Sequence, residues 1–304
     1  MIDVLQTMKL RPEVQPDLEA RYRVHGPDAP DSVKATIRGL VTNGHAGASR
    51  ELIDSLPKLE VIVSSSVGYD HIDVEYARSK GIPVTNTAGS LDDDVADLAI
   101  ALMIMTARRL VPSDKYVRDN RWAREGDYPL QRRASGKRVG ILGLGRIGKA
   151  IARRAEAMDN TIAYHSRRPV AGSPYKYYPS LLELARNSDF LVVVIPASPE
   201  SHKIVSQDVI AALGPTGILV NVARGTVVDE EAMIAALKAG TLGGAGLDVF
   251  YDEPRVPEVF FGMEHVVLMP HVGSATVETR RAMSQLTLDN LDAHFAGKPL
   301  LTPI

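Results

Sequence analysis

Gly143, Gly145 and Gly148 stand in the spacing G-x-G-x-x-G within GILGLGRIGKAIARRA. RVGIL before them has the composition of a strand, and RIGKAIARRA that of a helix. In this setting each glycine has a task. The first permits a tight turn, the second lets a pyrophosphate approach the backbone, and the third lets the helix pack close to the strand. N–H groups at the helix start then face the phosphates. Leu144, Arg146 and Ile147 complete the loop. The chemistry is dinucleotide binding, and the next strand end bears on which dinucleotide. About 20 residues on, such folds place an acid on the ribose 2′-hydroxyl of NAD. Here the stretch reads Tyr164-His165-Ser166-Arg167-Arg168, without Asp or Glu. A hydroxyl and two guanidinium groups suit the 2′-phosphate of NADP, which a carboxylate would repel. NADPH is the preferred cofactor on this reading, with NADH left open.

The elements that must position this site alternate along the chain. Ile2–Met8, Gly39–Asn43, Leu59–Ser66 and Ile82–Thr87 read as strands. PDLEARY, ASRELIDSL and DVEYARSKG between them have helical spacing. The second block repeats the pattern with KRVGILGL, NTIAYHS, DFLVVVIP, GILVNVAR, GAGLDVF and HVVLMPH as strands. Helices fall at Arg146–Met158, Ser180–Arg186 and Glu230–Ala239. Such alternation predicts an α/β protein with parallel sheets, and near-continuous apolar strands suit burial on both faces. Two longer helices look like joints: LDDDVADLAIALMIMTARRL, led by acids that favour a helix start, and a last one over 274–295.

At 304 residues the chain suits two domains, or one interrupted by another. Hydrophobic residues make up 45% and charged residues 24%, as in ordinary globular proteins. A net charge of -2 offers no field for nucleic acid or an anionic membrane. Without cysteine there is no disulfide, thiolate metal site or cysteine nucleophile, and no metal is expected. The start carries no apolar core of signal-peptide length, and the apolar run from Leu98 to Ala107 is too short to span a bilayer. A cytoplasmic location is the expectation.

Over nearly its whole length the chain resembles the D-isomer-specific 2-hydroxyacid dehydrogenases. SVGYDHIDVEYARSKGIPVTNT is similar to that family's substrate loop, and GILGLGRIGKAIARRA to its cofactor loop. NVARGTVVDEEAMIAAL, GAGLDVFYDEP and VVLMPHVGSAT match its catalytic blocks in order. The resemblance implies a flavodoxin-like substrate domain over 1–93 and 273–304, a Rossmann-like dinucleotide domain over 94–272, and a homodimer. It implies that Arg224 binds the substrate carboxylate and carbonyl oxygen, that Glu253 holds the catalytic histidine, and that His271 donates the proton. The Val67 and Gly68 amides would grip the carboxylate, and Asp248 would lie near the nicotinamide. Further cofactor contacts are implied at Ile195, Pro196, Val222, Ala223, Arg224, His271 and Gly273. Trp122 corresponds to a tryptophan that reaches a partner's active site in related reductases, with dimer packing as the plainer role. His71 departs from the family's frequent asparagine.

Residue chemistry agrees with these roles. Arginine offers a carboxylate a planar, two-pronged fit. Hydride delivery to a carbonyl carbon leaves an alkoxide, which a histidine can protonate near neutrality. A neighbouring carboxylate favours the charged imidazolium. The expected reaction is NADPH-dependent reduction of 2-oxo acids, glyoxylate and hydroxypyruvate first, to D-2-hydroxy acids. 2-Ketogluconate and hydroxyphenylpyruvate remain alternatives. A nicotinamide-sensing protein without catalysis is the reading from another class, and the intact Arg–Glu–His set argues against it.

Overall fold

A computed structural model describes residues 1–304. The chain divides into two compact units: Met1–Leu91 with Ser274–Ile304, and Asp92–Gly273.

The first unit holds five parallel strands: β1 (Ile2–Gln6), β2 (Tyr22–His25), β3 (Gly39–Thr42), β4 (Val61–Ser64) and β5 (Val84–Thr85), in spatial order β2-β1-β3-β4-β5. This is the flavodoxin-like order. Its helices are α1 (Gln15–Arg21), α2 (Asp31–Lys34), α3 (Arg50–Asp54) and α4 (Val74–Ser79). Neighbouring residues of each strand point to opposite faces. Leu5, Leu40 and Ile62 therefore join one core with Ile53 and Ala77, while Val4, Val41, Val61 and Val63 join another with Leu18 and Leu288.

The second unit holds seven parallel strands: β6 (Arg138–Leu142), β7 (Thr161–His165), β8 (Lys176–Tyr177), β9 (Phe190–Val193), β10 (Ile218–Asn221), β11 (Gly244–Leu247) and β12 (Val266–Leu268). Their order is β12-β11-β10-β9-β6-β7-β8. Its helices are α5 (Asp92–Arg108), α6 (Leu110–Arg118), α7 (Arg121–Glu125), α8 (Arg146–Glu156), α9 (Leu181–Arg186), α10 (Gln207–Leu213) and α11 (Glu230–Ala239); α12 (Val277–Phe295) belongs to the first unit. Leu191 and Val193 pack toward α9, α10 and α11, whereas Phe190 and Val192 pack toward α5 and α8. Both faces are covered, which explains the unbroken apolar runs. Strand order reverses beside β6, and in open sheets of this kind ligands bind beyond the strand C-termini near that reversal.

Several elements differ from the reading of the sequence. Tyr22 opens β2 rather than closing a helix. The long helix after Leu91 stops at Arg108, because Arg109 turns left-handed with φ 47°, and α6 follows. The final helix starts at Val277, capped by the Thr276 side chain, which accepts from the Thr279 N–H. The last strand covers only Val266–Leu268 of HVVLMPH. No helix is long and apolar enough to cross a membrane.

Candidate active site

The glycine loop joins β6 to α8. Gly143 has φ 102°, and a Cβ there would lie 2.6 Å from Ile195 Cγ2 and 2.7 Å from the Val194 carbonyl oxygen. A Cβ on Gly148 would lie 2.0 Å from the Gly143 carbonyl oxygen. Both positions are closed to any side chain by packing inside the protein. Gly145 differs, since a Cβ there would meet nothing within 4 Å. Gly145 is also the N-cap of α8, with no side chain capping the helix. Protein contacts alone do not call for glycine at 145. An outside group that must approach the backbone and the uncapped N–H groups does. Leu144 is buried beneath the turn, and Ile147 packs on the same core. Arg146 reaches back to Asp92, with Nε 2.9 Å from Oδ2. The loop fits a dinucleotide pyrophosphate.

β7 ends at His165, whose backbone carbonyl accepts from the Gly143 N–H. The Ser166 hydroxyl donates to the Arg168 carbonyl at 2.6 Å, and Tyr177 OH donates to the Ser166 carbonyl at 3.2 Å, which shapes the turn. The Arg167 and Arg168 side chains are exposed and make no ion pair, unlike Arg146, Arg153 and Arg154 of the neighbouring helix. The Glu200 carboxyl sits below its ordinary value, held there first by the Ser198 hydroxyl, then by its own N–H and, less, by the charge of Arg167.

The catalytic candidates follow β10, β11 and β12. Asn221, at the end of β10, accepts the Ala223 N–H through Oδ1 and donates through Nδ2 to the Arg224 carbonyl, each at 3.0 Å. Nη1 of Arg224 donates to the Ala223 carbonyl at 2.7 Å. Gly225 then passes so close to the next loop that a Cβ would fall 1.9 Å from the Phe250 carbonyl carbon. That contact seats the Arg224 turn on the loop that carries Glu253. Oε1 of Glu253 accepts the Phe250 N–H at 3.1 Å, and Oε2 lies 2.6 Å from His271 Nδ1. Burial would raise the Glu253 carboxyl. The His271 bond, the Phe250 N–H and the charges of His271 and Arg224 outweigh it and hold the group below its ordinary value.

His271 itself sits in the left-handed region, with φ 54°. Such a backbone persists in a non-glycine residue where surroundings enforce it. Asp248 supplies that enforcement. Its carbonyl accepts the His271 N–H, while Oδ1 and Oδ2 accept the Val272 and Gly273 N–H groups at 2.7 and 2.9 Å. Burial pushes the Asp248 carboxyl above its ordinary value, against the pull of those two N–H groups and of His271. The expected position near a nicotinamide thus comes with a clear structural task. Val222 and Ala223 lie in the β10 turn, and Ile195 and the exposed Pro196 follow β9, so all the implied cofactor positions share the C-terminal edge of this sheet.

Val67 and Gly68 lie after β4 in the first unit. Their N–H groups carry no hydrogen bond within the protein. Three loops fix them. The Val67 carbonyl accepts from Asn86 Nδ2 at 3.0 Å, and the Gly68 carbonyl accepts from the Ser66 hydroxyl, which itself accepts the Gly44 N–H. His71 Nδ1 lies 2.6 Å from the Gly44 carbonyl oxygen. The histidine at this position therefore ties the loop after β3 to the loop after β4. The reading of the sequence passed over Ser66 and Asn86, which act only through the fold. It also passed over Glu230, whose carboxylate accepts the Tyr251 N–H at 3.2 Å and so steadies the Glu253 loop. Trp122 lies on α7 and is 59% exposed.

Comparison with known proteins assigns this arrangement to a family. Residues 100–273 match the model of the D-isomer specific 2-hydroxyacid dehydrogenase NAD binding domain. The chain belongs to the D-isomer specific 2-hydroxyacid dehydrogenase family. It is 56% identical to hydroxyphenylpyruvate reductase of Plectranthus scutellarioides over 269 residues, covering 88% of this chain and 86% of the relative. Over the same shares it is 54% identical to glyoxylate/hydroxypyruvate reductase A of Arabidopsis thaliana. Among solved structures, the NADPH-dependent glyoxylate/hydroxypyruvate reductase from Sinorhizobium meliloti, in complex with NADP and malonate, superposes with a TM-score of 0.93. Its identity is 42%, covering 99% of this chain and 96% of that one. This D-2-hydroxyacid dehydrogenase is thus an oxidoreductase with an NAD(P)-binding domain.

Proposed function

We propose that the protein reduces glyoxylate and hydroxypyruvate to D-2-hydroxy acids with NADPH as the preferred donor. The observation that carries this reading is the 2.6 Å pair of His271 Nδ1 and Glu253 Oε2, held beside the Arg224 turn. The pair is an acid catalyst with its counter-charge. A protein that only sensed nicotinamides would have no use for it.

Gly143–Gly148 and Ser166–Arg168 would hold the nicotinamide cofactor, which would supply the hydride for the carbonyl carbon. The substrate carboxylate is assigned to the Arg224 guanidinium and the unengaged N–H groups of Val67 and Gly68. Arg224 also polarises the carbonyl oxygen, where negative charge grows as the hydride arrives. Glu253 keeps Nδ1 occupied, so Nε2 of His271 gives its proton to that oxygen. The ring becomes neutral and takes a new proton from solvent after the product leaves. Asp248 aims the ring by fixing the backbone on both sides of it. Arg167 and Arg168 are assigned to the 2′-phosphate because they are exposed and make no ion pair, and because the turn that carries them has no acid of its own.

The exposed Leu110, Val111, Val117, Trp122 and Leu130 support a homodimer formed through the stretch they share. Similarity to hydroxyphenylpyruvate reductase keeps an aromatic 2-oxo acid as the second substrate reading. Steady-state rates with glyoxylate, hydroxypyruvate and hydroxyphenylpyruvate, each with NADPH and NADH, test the proposal. NADPH with the two small acids should give the highest kcat/KM. No turnover of any of them would remove it.

A further inference from the structure

Arg280 is a half-buried cation with nothing to neutralise it. Its guanidinium makes no ion pair and no hydrogen bond, and the charged group felt beside it is another guanidinium, that of Arg11. Burial first and Arg11 second push Arg280 below the ordinary arginine value. A desolvated charge without a partner is costly, and interiors normally pair such groups. Arg11 offers no relief, since its own nearest acid, Glu13, lies 3.9 Å away at the surface.

Position gives this pair a meaning. Residues 280, 284, 288 and 291 form one stripe of α12. Leu288 and Leu291 lie in the core against β1, β3 and β4. The helix runs opposite to the strands. Its C-terminal end meets the start of β3, where a Cβ on Gly39 would lie 3.0 Å from Leu291 Cδ1. Toward its N-terminus, the Ser284 hydroxyl accepts the N–H of Arg11, which follows β1. Arg280 is one turn further, beyond the C-terminal ends of the strands, the edge at which open α/β sheets take ligands. The Val67–Gly68 loop is at the same edge of the same unit. Met8 next to it accepts from the Ser65 hydroxyl, and the Ser90 carbonyl accepts from Thr279, the residue before Arg280.

We propose that Arg280, backed by Arg11, is a specificity-determining residue that receives a second carboxylate at the far end of the substrate, so that dicarboxylic 2-oxo acids are favoured over neutral ones of equal length. The inference rests on the assignment of the first carboxylate to Val67 and Gly68. It adds a second anion point to that grip and explains why an unpaired cation is kept half-buried at the ligand edge.

The test compares 2-oxoglutarate with 2-oxovalerate, which have equal chain length and differ in the charge of the far end. The readout is the ratio of their kcat/KM values, so any loss common to both cancels. The wild type should favour the diacid roughly 10- to 100-fold, the range of a charge-assisted contact. Arg280→Met should bring the ratio to about one, and Arg280→Lys, a point charge in place of a fork, should restore part of it. A ratio unchanged in Arg280→Met, or a wild type that does not favour the diacid, overturns the proposal. Calorimetric titration of the NADPH-loaded protein with glutarate and with valerate separates the two assignments. Tighter glutarate binding that Arg280→Met abolishes, without glyoxylate turnover, would sink the reductase reading and leave Arg280 assigned. Glyoxylate turnover without any preference for glutarate would sink Arg280 alone.

Discussion

Replacing Arg167 and Arg168 together by alanine should cost the enzyme NADPH and spare NADH. The two dinucleotides differ only in the 2′-phosphate, so a selective loss reports on that group. Each charge-assisted hydrogen bond contributes about 1.5–3 kcal/mol. Both side chains are exposed, where solvent and salt weaken such contacts, so the low end of that range applies. Two contacts at that end amount to about 3 kcal/mol, or roughly 100-fold in affinity. Neither arginine is bonded to another side chain, and the turn is held by the Ser166 hydroxyl and Tyr177. The double variant should therefore keep its fold and its NADH constants. Cofactor titration by quenching of protein fluorescence at low and at 0.5 M salt, alongside KM for each cofactor, reads the effect, which should shrink in high salt. Equal losses for NADPH and NADH would show that the arginines shape the loop and do not read the phosphate.

Other outcomes follow from the same geometry. Glu253 is ionised across the neutral range because its carboxyl lies below its ordinary value. Glu253→Gln removes the charge held against His271 Nδ1, so kcat/KM for reduction should fall while cofactor affinity stays, and a kcat/KM equal to that of the wild type would break the pairing. Gly145→Ala should leave the melting temperature unchanged yet weaken both cofactors, since the new methyl group meets only the ligand's space. Gly148→Ala should lower thermal stability by about 1–3 kcal/mol through the clash with Gly143; a Gly145→Ala protein as unstable as Gly148→Ala would refute the distinction. Arg224→Lys should keep cofactor affinity and lose most kcat/KM for glyoxylate, because a point charge replaces a fork.

How much of this was legible in the sequence depended on whether a residue acts locally. The glycine turn was readable, because strand, turn and helix are contiguous. The strands buried on both faces were readable for the same reason, as Phe190–Val193 shows. β2 escaped because Tyr22–His25 runs straight on from α1 and only Tyr22 in it is buried, β8 because two residues are too few for a period to show, and α10 because its apolar positions span only two turns. Arg109 interrupted a continuous helical pattern through a backbone angle that composition does not record. At the candidate site, motif alone brings forward Arg224, Glu253 and His271 as a proposed set, but the contacts around them were not legible. Asp248 bonding Val272 and Gly273 joins positions 24 and 25 residues apart. The Gly225–Phe250 contact likewise joins two strand ends that only the sheet brings together.

The central claim is that His271 delivers the proton that completes reduction. Single-turnover reduction of glyoxylate by NADPH-loaded His271→Ala, followed by loss of nicotinamide absorbance, tests it most directly. The chemical step should slow by about 10²–10⁴-fold, the usual contribution of general acid catalysis, while NADPH affinity stays at the wild-type value. A single-turnover rate close to that of the wild type would contradict the account.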